Sequence, residues 1–313
     1  NTVKQLLNLV LFCKKVNIPF EVYSFIESTD YAYNYSPSSH AKVGDLSMHT
    51  FGLINLLSSR MNSIDFTYAS ASLMKMTGVN FSNGFYNVRT PSFMKMSGTP
   101  LNEAVISAMK IVPEFQKKYK LQVVNTVFLT DGESDLLNFK YRADGSYDNL
   151  PFGYSYSSKL IRSVVLRDPK TMHQEKYNSR GIGPDSQTNA LIALLKHRTN
   201  SHVIGFYVAD TGEFKNKIRY LYDIPKDEFG FYNIDAIEKI KSEFVKNKYA
   251  ISTNTGFDDY YILRGASLDT DDDAELEFNK NATTRGMVSA FSKYAGNRLN
   301  NRVILNKFIS WIA

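Results

Sequence analysis

The chain has 313 residues, of which 22% are charged and 43% hydrophobic, and its formal net charge is +6. This composition is ordinary for a soluble globular chain and excludes wholesale disorder. No stretch approaches the roughly 20 apolar residues of a membrane span, and the basic residues are dispersed, so we expect neither a membrane nor a nucleic-acid partner. Cys13 is the only cysteine, which excludes an internal disulfide and a thiolate cluster and favours a reducing, cytoplasmic compartment.

The first part of the chain alternates between helical and extended patterns. Apolar residues at helical spacing predict an opening helix, which Asn17-Ile18-Pro19 ends before a strand over Phe20–Phe25. A polar, tyrosine-rich segment follows at 28–45. Phe51–Leu57 is typical of another apolar element, and Met61–Met76 has a largely helical pattern.

The middle of the chain predicts repeated β and α elements with one interruption. A helix over Leu101–Tyr119, with a kink or turn at Pro113, leads into a strand that ends at Thr130. Residues 136–187 are rich in tyrosine, serine, glycine and proline and predict an insertion over the rim of the site. The alternation then resumes with a helix over Thr188–Arg198 and a central strand over Val203–Val208.

The last third predicts one more helix and two strands, followed by an extension. An apolar stripe from Ile234 to Val245 indicates a helix, and Tyr249–Ser252 and Tyr260–Leu263 indicate strands. We predict one α/β domain over 1–255, and a C-terminal extension over 256–313 whose apolar end packs on the domain.

Two short segments bring oxygen ligands to the end of one strand. Asp131-Gly132 follows the strand over 123–130 directly, so a carboxylate stands at the carboxyl end of a buried parallel strand, where open α/β sheets bind ligands. Thr99 lies in a loop that enters the preceding helix. A carboxylate and a hydroxyl suit Mg²⁺, which prefers octahedral oxygen coordination. From spacing alone, the alternative is that Asp131-Gly132 is a turn and that Thr99 caps the helix beginning near Pro100.

The same two segments resemble metal loops of von Willebrand factor type A (VWA) domains. Ser97–Ala104 is similar to the second metal loop of that family and Phe128–Glu133 to the third, with a helix between them in the same order. The resemblance implies a doubly wound, Rossmann-like α/β fold with a mostly parallel sheet and helices on both faces. It also implies a metal-ion-dependent adhesion site, usually for Mg²⁺, in which Thr99 and Asp131 are ligands.

The first metal loop of that family, Asp-x-Ser-x-Ser, has no counterpart in this sequence. The helix that should follow this loop begins almost at Asn1, so we expect a chain truncated at its start. In the strand order 3-2-1-4-5-6 that the family shares, the missing strand is the central one. We therefore expect a gap between the strand at Phe20 and the strand before Asp131, which an upstream segment or another segment would fill.

Within the superfamily, the layout is most similar to cobaltochelatase CobT-type subunits and their phage-encoded relatives. There such a domain works with a MoxR-type AAA+ ATPase. The resemblance implies a protein-binding module whose Mg²⁺ or Mn²⁺ accepts a carboxylate from a protein partner, or a subunit of a chelatase-like complex. No segment matches G-x-x-x-x-G-K-[ST], so we expect the chain not to hydrolyse nucleotide itself and assign ATP hydrolysis to a partner. As a possible subunit of a chelatase-like complex, the chain is not expected to be catalytic alone. A metal-free scaffold with a degenerate site remains the alternative.

Other polar groups are weaker candidates for sites. Three alternating aspartates resemble an EF-hand start but lack its glycine and closing glutamate, so a solvated acidic turn is favoured. Two histidines lack the spacing of a zinc helix. One further loop is either a plain turn or a border of the metal edge. These groups are Asp269, Asp271 and Asp273; His197 and His202; and Ser179 and Asp185.

Overall fold

The computed structural model describes residues 2–27, 45–48, 51–77, 98–130, 132, 134, 136–139, 163–178, 186–252 and 254–265. Within these ranges the helices are α1 (Thr2–Lys15), α2 (Ser63–Thr77), α3 (Leu101–Tyr119), α4 (Gln187–Thr199), α5 (Thr211–Leu221) and α6 (Ile234–Asn247). The strands are β1 (Glu21–Glu27), β2 (Leu46–Ser47), β3 (Phe51–Ser58), β4 (Asn125–Thr130), β5 (Asn138–Phe139), β6 (Ser163–Arg167), β7 (Gln174–Asn178), β8 (His202–Ala209), β9 (Tyr249–Ser252) and β10 (Asp259–Arg264). None of the described helices has both the length and the apolar character needed to cross a bilayer.

The N-terminal part forms a strand pair that packs on two helices. β1 pairs with β3 in antiparallel orientation. One apolar cluster joins Leu7 and Val10 of α1, Leu57 of β3, and Phe66 and Leu73 of α2. The predicted opening helix and first strand are therefore confirmed, and the apolar spacing of α1 serves to bury one side of that helix.

The main sheet has four strands in the order β4-β8-β10-β9. β4 and β10 both run parallel to β8, and β9 is antiparallel to β10. The protein is thus a mixed α/β structure with a mostly parallel central sheet, as the sequence predicts. β10 pairs on both sides, so residues 259–264 are an integral part of this sheet.

One face of the main sheet is covered by α3, α4, α5 and α6. Phe128 of β4 packs with α3 and α4 in one cluster, and Tyr207 of β8 packs with α5 and α6 in another. α3 continues through Pro113 without ending, so the predicted break there is limited to a proline within the helix. The phenyl rings of Phe214 (α5) and Phe244 (α6) stack with centroids 4.0 Å apart.

The two sheets are separate in the described part of the chain. There β1 pairs with β3 alone and β4 with β8 alone, so each has one edge without a described partner strand. Phe25 of β1 nevertheless packs against the same apolar cluster as Phe128 of β4. The strand pair and the main sheet therefore share a core, while the expected central strand between them lies outside what the described residues show.

The predicted insertion at 136–187 contains an antiparallel hairpin. β6 and β7 pair from Ser163 and Asn178 to Arg167 and Gln174. Tyr177 of this hairpin is 3% exposed and packs in the α3–α4 cluster. The described part of the insertion thus contributes to the core as well as to the surface.

Candidate functional site

The candidate site lies at the carboxyl edge of the main sheet. β4, β8 and β10 are parallel, so their carboxyl ends at Thr130, Ala209 and Arg264 meet at one edge. Ligands of open α/β sheets bind at this edge. Thr99 is half-buried just before α3. Asp131, the second predicted ligand, lies outside the described residues.

Thr99 and Gly132 approach so closely that position 132 has no room for a side chain. A Cβ placed on Gly132 would overlap Thr99 Oγ1 and lie 3.2 Å from Thr99 Cβ. Thr130 closes the turn, because its Oγ1 accepts a hydrogen bond from the Gly132 amide at 3.1 Å and donates to the Gly132 carbonyl at 2.9 Å. The two loops singled out in the sequence therefore meet at the end of β4.

Thr99 does not cap α3. The N-cap position belongs to Pro100, which makes no side-chain cap hydrogen bond, and Gly98 before it has a positive φ of 63°. The amide of Asn102 in the first turn donates instead to Ser134 Oγ at 3.0 Å. A serine from the loop after β4 thus satisfies a helix N-terminal amide that a cap residue normally satisfies. The interpretation of Thr99 as a simple cap is wrong in this structure.

A buried polar network holds the same two loops together. Gln187, the first residue of α4, has no exposed surface. Its Oε1 accepts hydrogen bonds from Asn102 Nδ2 at 3.1 Å and from the Leu137 amide at 2.7 Å. Its Nε2 donates to the Leu137 carbonyl at 3.2 Å and to the Tyr177 hydroxyl at 2.9 Å. Thr188 Oγ1 donates to Asn102 Oδ1 at 2.7 Å, so α3, α4, the hairpin and the loop after β4 are joined beside the candidate site.

Sequence reasoning missed this network because its members are distant in sequence. Asn102 and Gln187 are 85 positions apart. Asn102 lies in the segment Ser97–Ala104, but nothing in that pattern points to Gln187. One signal was available in the sequence: Asn102 and Gln187 are polar residues at the starts of α3 and α4, whose following buried residues are mostly apolar. A buried amide needs partners for all of its donors and acceptors, so such residues mark places where several loops converge.

The two histidines lie away from the candidate site. His197 is near the end of α4, and its ring stacks on that of His173 in the hairpin, with centroids 3.9 Å apart. His173 Nε2 is 2.7 Å from Glu175 Oε1. His202 begins β8, at the amino end of the strand. Neither predicted histidine is brought to Thr99.

Cys13 is not positioned for metal or nucleophile chemistry. The residue is 4% exposed, and burial raises the pKa of its thiol to about 12. The thiol is therefore neutral at physiological pH, whereas the thiolate is the reactive and metal-binding form. Five further candidate residues lie outside the described part of the chain, as does Asp131. They are Asp269, Asp271 and Asp273, together with Ser179 and Asp185.

Comparisons with family models, with curated proteins and with solved structures found no match to this chain. Among the described residues, no group of three or more histidine, cysteine, aspartate or glutamate side chains is arranged to hold a metal ion. Any assignment of function therefore depends on the geometry at the end of β4 and on the resemblance of its two loops.

Proposed function

We propose that the chain is a VWA-type protein-binding module with a doubly wound fold, in which Thr99 and Asp131 hold Mg²⁺ or Mn²⁺. The observation that carries this proposal is the contact between Thr99 and Gly132 at the carboxyl end of β4. Gly132 directly follows Asp131 in the chain. The two segments that resemble metal loops are thus neighbours in space although more than thirty residues separate Thr99 from Gly132 in sequence.

The donor chemistry suits a hard cation. A threonine hydroxyl and an aspartate carboxylate supply oxygen only, which favours Mg²⁺ or Mn²⁺ over softer metals. Mg²⁺ takes six oxygen ligands and retains several waters, so two protein oxygens leave positions open. A carboxylate from a partner protein would replace one of these waters. Binding to that partner would then require the metal.

The proposed partner is a MoxR-type AAA+ ATPase, as in CobT-like chelatase complexes. The sequence lacks the P-loop pattern, so the partner would supply nucleotide hydrolysis. In the chelatase version of this proposal, the module and the motor together insert a metal into a tetrapyrrole. Activity that requires the module, the motor, the tetrapyrrole and ATP together would support that version.

A metal-free scaffold is the second candidate function, and the Gln187 network favours it. That network joins the loops beside the site through hydrogen bonds of the protein alone. Loops held in this way keep their arrangement without a cation. In this alternative the same edge binds a partner through its surface shape, and chelation of divalent ions changes nothing.

The first test is a calorimetric titration of the intact chain with Mg²⁺ and with Mn²⁺. We expect Thr99→Ala and Asp131→Ala each to weaken binding at least about tenfold, equivalent to about 1.4 kcal/mol. Thr67→Ala and Asp223→Asn are matched controls, because both residues are exposed and distant from β4 in the chain. Absence of Mg²⁺ and Mn²⁺ binding in the folded wild-type chain, or unchanged affinity in both site variants, would leave the scaffold as the better proposal.

A further inference from the structure

Two basic residues are adjacent at the carboxyl end of β10. Arg264 is the last residue of β10, and its partner in β8 is Ala209, the last residue of that strand. On its other side, the Arg264 amide donates a hydrogen bond to the Lys248 carbonyl at 3.0 Å, directly before β9 begins. Arg264 and Lys248 therefore lie side by side at the edge where open α/β sheets bind ligands.

Neither of these cations is neutralised within the described part of the chain. The side chains of Arg264 and Lys248 make no hydrogen bond or ion pair with a described residue, and Arg264 Nε is buried without a hydrogen-bond partner there. By contrast, the guanidinium of Arg198 lies 3.4 Å from the carboxylate of Asp168. Arg264 as a whole is only half-buried, so a ligand can reach it.

This arrangement is unfavourable unless an anion is bound. A buried N–H group without a partner has lost its hydration and gained no hydrogen bond in return. Like charges that face each other on adjacent strands also destabilise a sheet. The guanidinium stays protonated at every physiological pH, so its charge cannot be removed by deprotonation. An oxyanion would supply both the missing charge and the missing hydrogen-bond acceptor.

Arg264 faces the same side of the sheet as the end of β4. Thr130 of β4 and Ile262 of β10 both pair with Tyr207 of β8, and paired strand residues point to one side. Arg264 is two residues beyond Ile262 and therefore faces that side as well. Only β8 separates β4 from β10. At about 4.8 Å between neighbouring strands, the two strand ends are about 10 Å apart.

We propose that Arg264, supported by the charge of Lys248, binds a carboxylate of an acidic segment in a partner protein. The planar guanidinium offers paired N–H groups that match the two oxygens of a carboxylate. That the ligand belongs to a protein rests on the proposed function, in which the end of β4 binds another carboxylate of the partner through the metal. The two carboxylates would be about 10 Å apart, which is about three residues of extended chain.

The neighbouring helix terminus favours a carboxylate over a phosphate. α5 begins directly after β8, and phosphate sites commonly use the free amides and the positive dipole of such a helix N-terminus. Here Asp210 caps the helix, because its Oδ1 accepts a hydrogen bond from the Glu213 amide at 2.7 Å. The negative charge of Asp210, next to Ala209, repels a phosphate dianion more strongly than a single carboxylate.

Nuclear magnetic resonance of the full chain labelled with ¹⁵N-arginine tests this site directly. The Nε–H resonance of Arg264 is assigned by its loss in Arg264→Lys. The probe is an end-blocked peptide of sequence Gly-Asp-Gly-Gly-Asp-Gly, titrated in EDTA so that no metal is needed. We expect a saturable shift of the Arg264 resonance and an affinity at least about tenfold weaker in Arg264→Gln. Arg219→Gln is the matched control, because Arg219 is exposed on α5, and it should bind as the wild type does.

Absence of a shift at Arg264, or equal affinity in the wild type and Arg264→Gln, would overturn the proposal. A stronger response to inorganic phosphate than to the peptide would overturn the choice of a carboxylate. Addition of Mg²⁺ separates this inference from the proposed function. If the metal site is absent, Mg²⁺ leaves the affinity for the peptide unchanged, but the shift of Arg264 in EDTA remains. If the shift is absent although calorimetry detects Mg²⁺ binding, Arg264 is not a carboxylate site and the metal proposal stands.

Discussion

Replacement of Gln187 by leucine tests whether the buried network organises the edge of the sheet. Leucine has a similar size but removes all four hydrogen bonds of the amide, to Asn102, Tyr177 and both backbone groups of Leu137. At about 1 kcal/mol for each bond, the expected loss is about 4 kcal/mol of unfolding free energy. A typical domain has an unfolding free energy of roughly 5–15 kcal/mol, so this loss is a large part of the total. A domain within that range still has a positive unfolding free energy after the loss, so we expect the variant to be folded.

The measurement is urea-induced unfolding followed by far-ultraviolet circular dichroism. Gln122→Leu is the matched control, because Gln122 is exposed, and it should change stability by no more than about 0.5 kcal/mol. Tyr177→Phe removes one of the same bonds, so the double variant with Gln187→Leu should lose less than the sum of the two single losses. A loss below about 1 kcal/mol in Gln187→Leu, or strict additivity with Tyr177→Phe, would refute this account of the network.

Three further variants test close contacts and burial. Gly132→Ala forces a methyl group against Thr99 and should lower the unfolding free energy, measured with urea, by about 1–3 kcal/mol. Adding Thr99→Ala should recover part of this loss. An unchanged unfolding free energy in Gly132→Ala would contradict the contact. Gly205→Ala should cost a similar amount, because its Cβ would lie 2.8 Å from Tyr260 Cε2, and an unchanged melting temperature would be inconsistent with that packing. Burial raises the pKa of the Cys13 thiol from 9.0 to about 12, so the unfolded chain loses this proton first. Stability should therefore fall between about pH 9 and pH 12 more steeply in the wild type than in Cys13→Ala, and parallel pH profiles would exclude the effect.

The sequence predicted the elements in which many apolar residues recur at regular spacing and missed those in which only one or two do. The stripes of α1, α3 and α6 and the apolar runs of β4 and β8 are visible because burial on one side selects residues at fixed spacing. α5 was missed, although Asp210 accepts a hydrogen bond from the Glu213 amide as its N-cap, and Phe214 and Ile218 have helical spacing. Its charged residues conceal a stripe of only two buried positions.

The hairpin β6–β7 was missed for a different reason. Each strand has one buried residue, Leu166 or Tyr177, so the alternation is too short to be recognised against its polar surroundings. The turn signal was present at Asp168-Pro169, since aspartate and proline favour the first two positions of a tight turn. Asp168 accepts hydrogen bonds from the Lys170 amide at 2.9 Å and from Thr171 Oγ1 at 3.0 Å.

At the candidate site, the sequence identified the two loops but not what holds them together. Local motifs pointed to Thr99 because its loop has a recognisable pattern. The residues that fix that loop, Ser134 and Gln187, act through contacts with Asn102 that depend on the tertiary structure. Pattern reasoning therefore pointed to this edge of the sheet, while the finding that Thr99 does not cap α3 depends on the tertiary structure.

The Gln187 network also determines how the two proposed functions can be separated. Because the loops are joined by protein hydrogen bonds, removal of divalent ions should not unfold them, and stability without metal is expected under both proposals. A bound cation adds stability only by mass action, about 2.7 kcal/mol at a concentration one hundred times its dissociation constant. Thermal unfolding with increasing Mg²⁺ should therefore show a concentration-dependent rise for a metal module. If the protein is a scaffold, the melting temperature of the wild type should respond to Mg²⁺ no more than that of Thr99→Ala. Comparison of the wild type with Thr99→Ala therefore decides between the two proposals before any partner is identified.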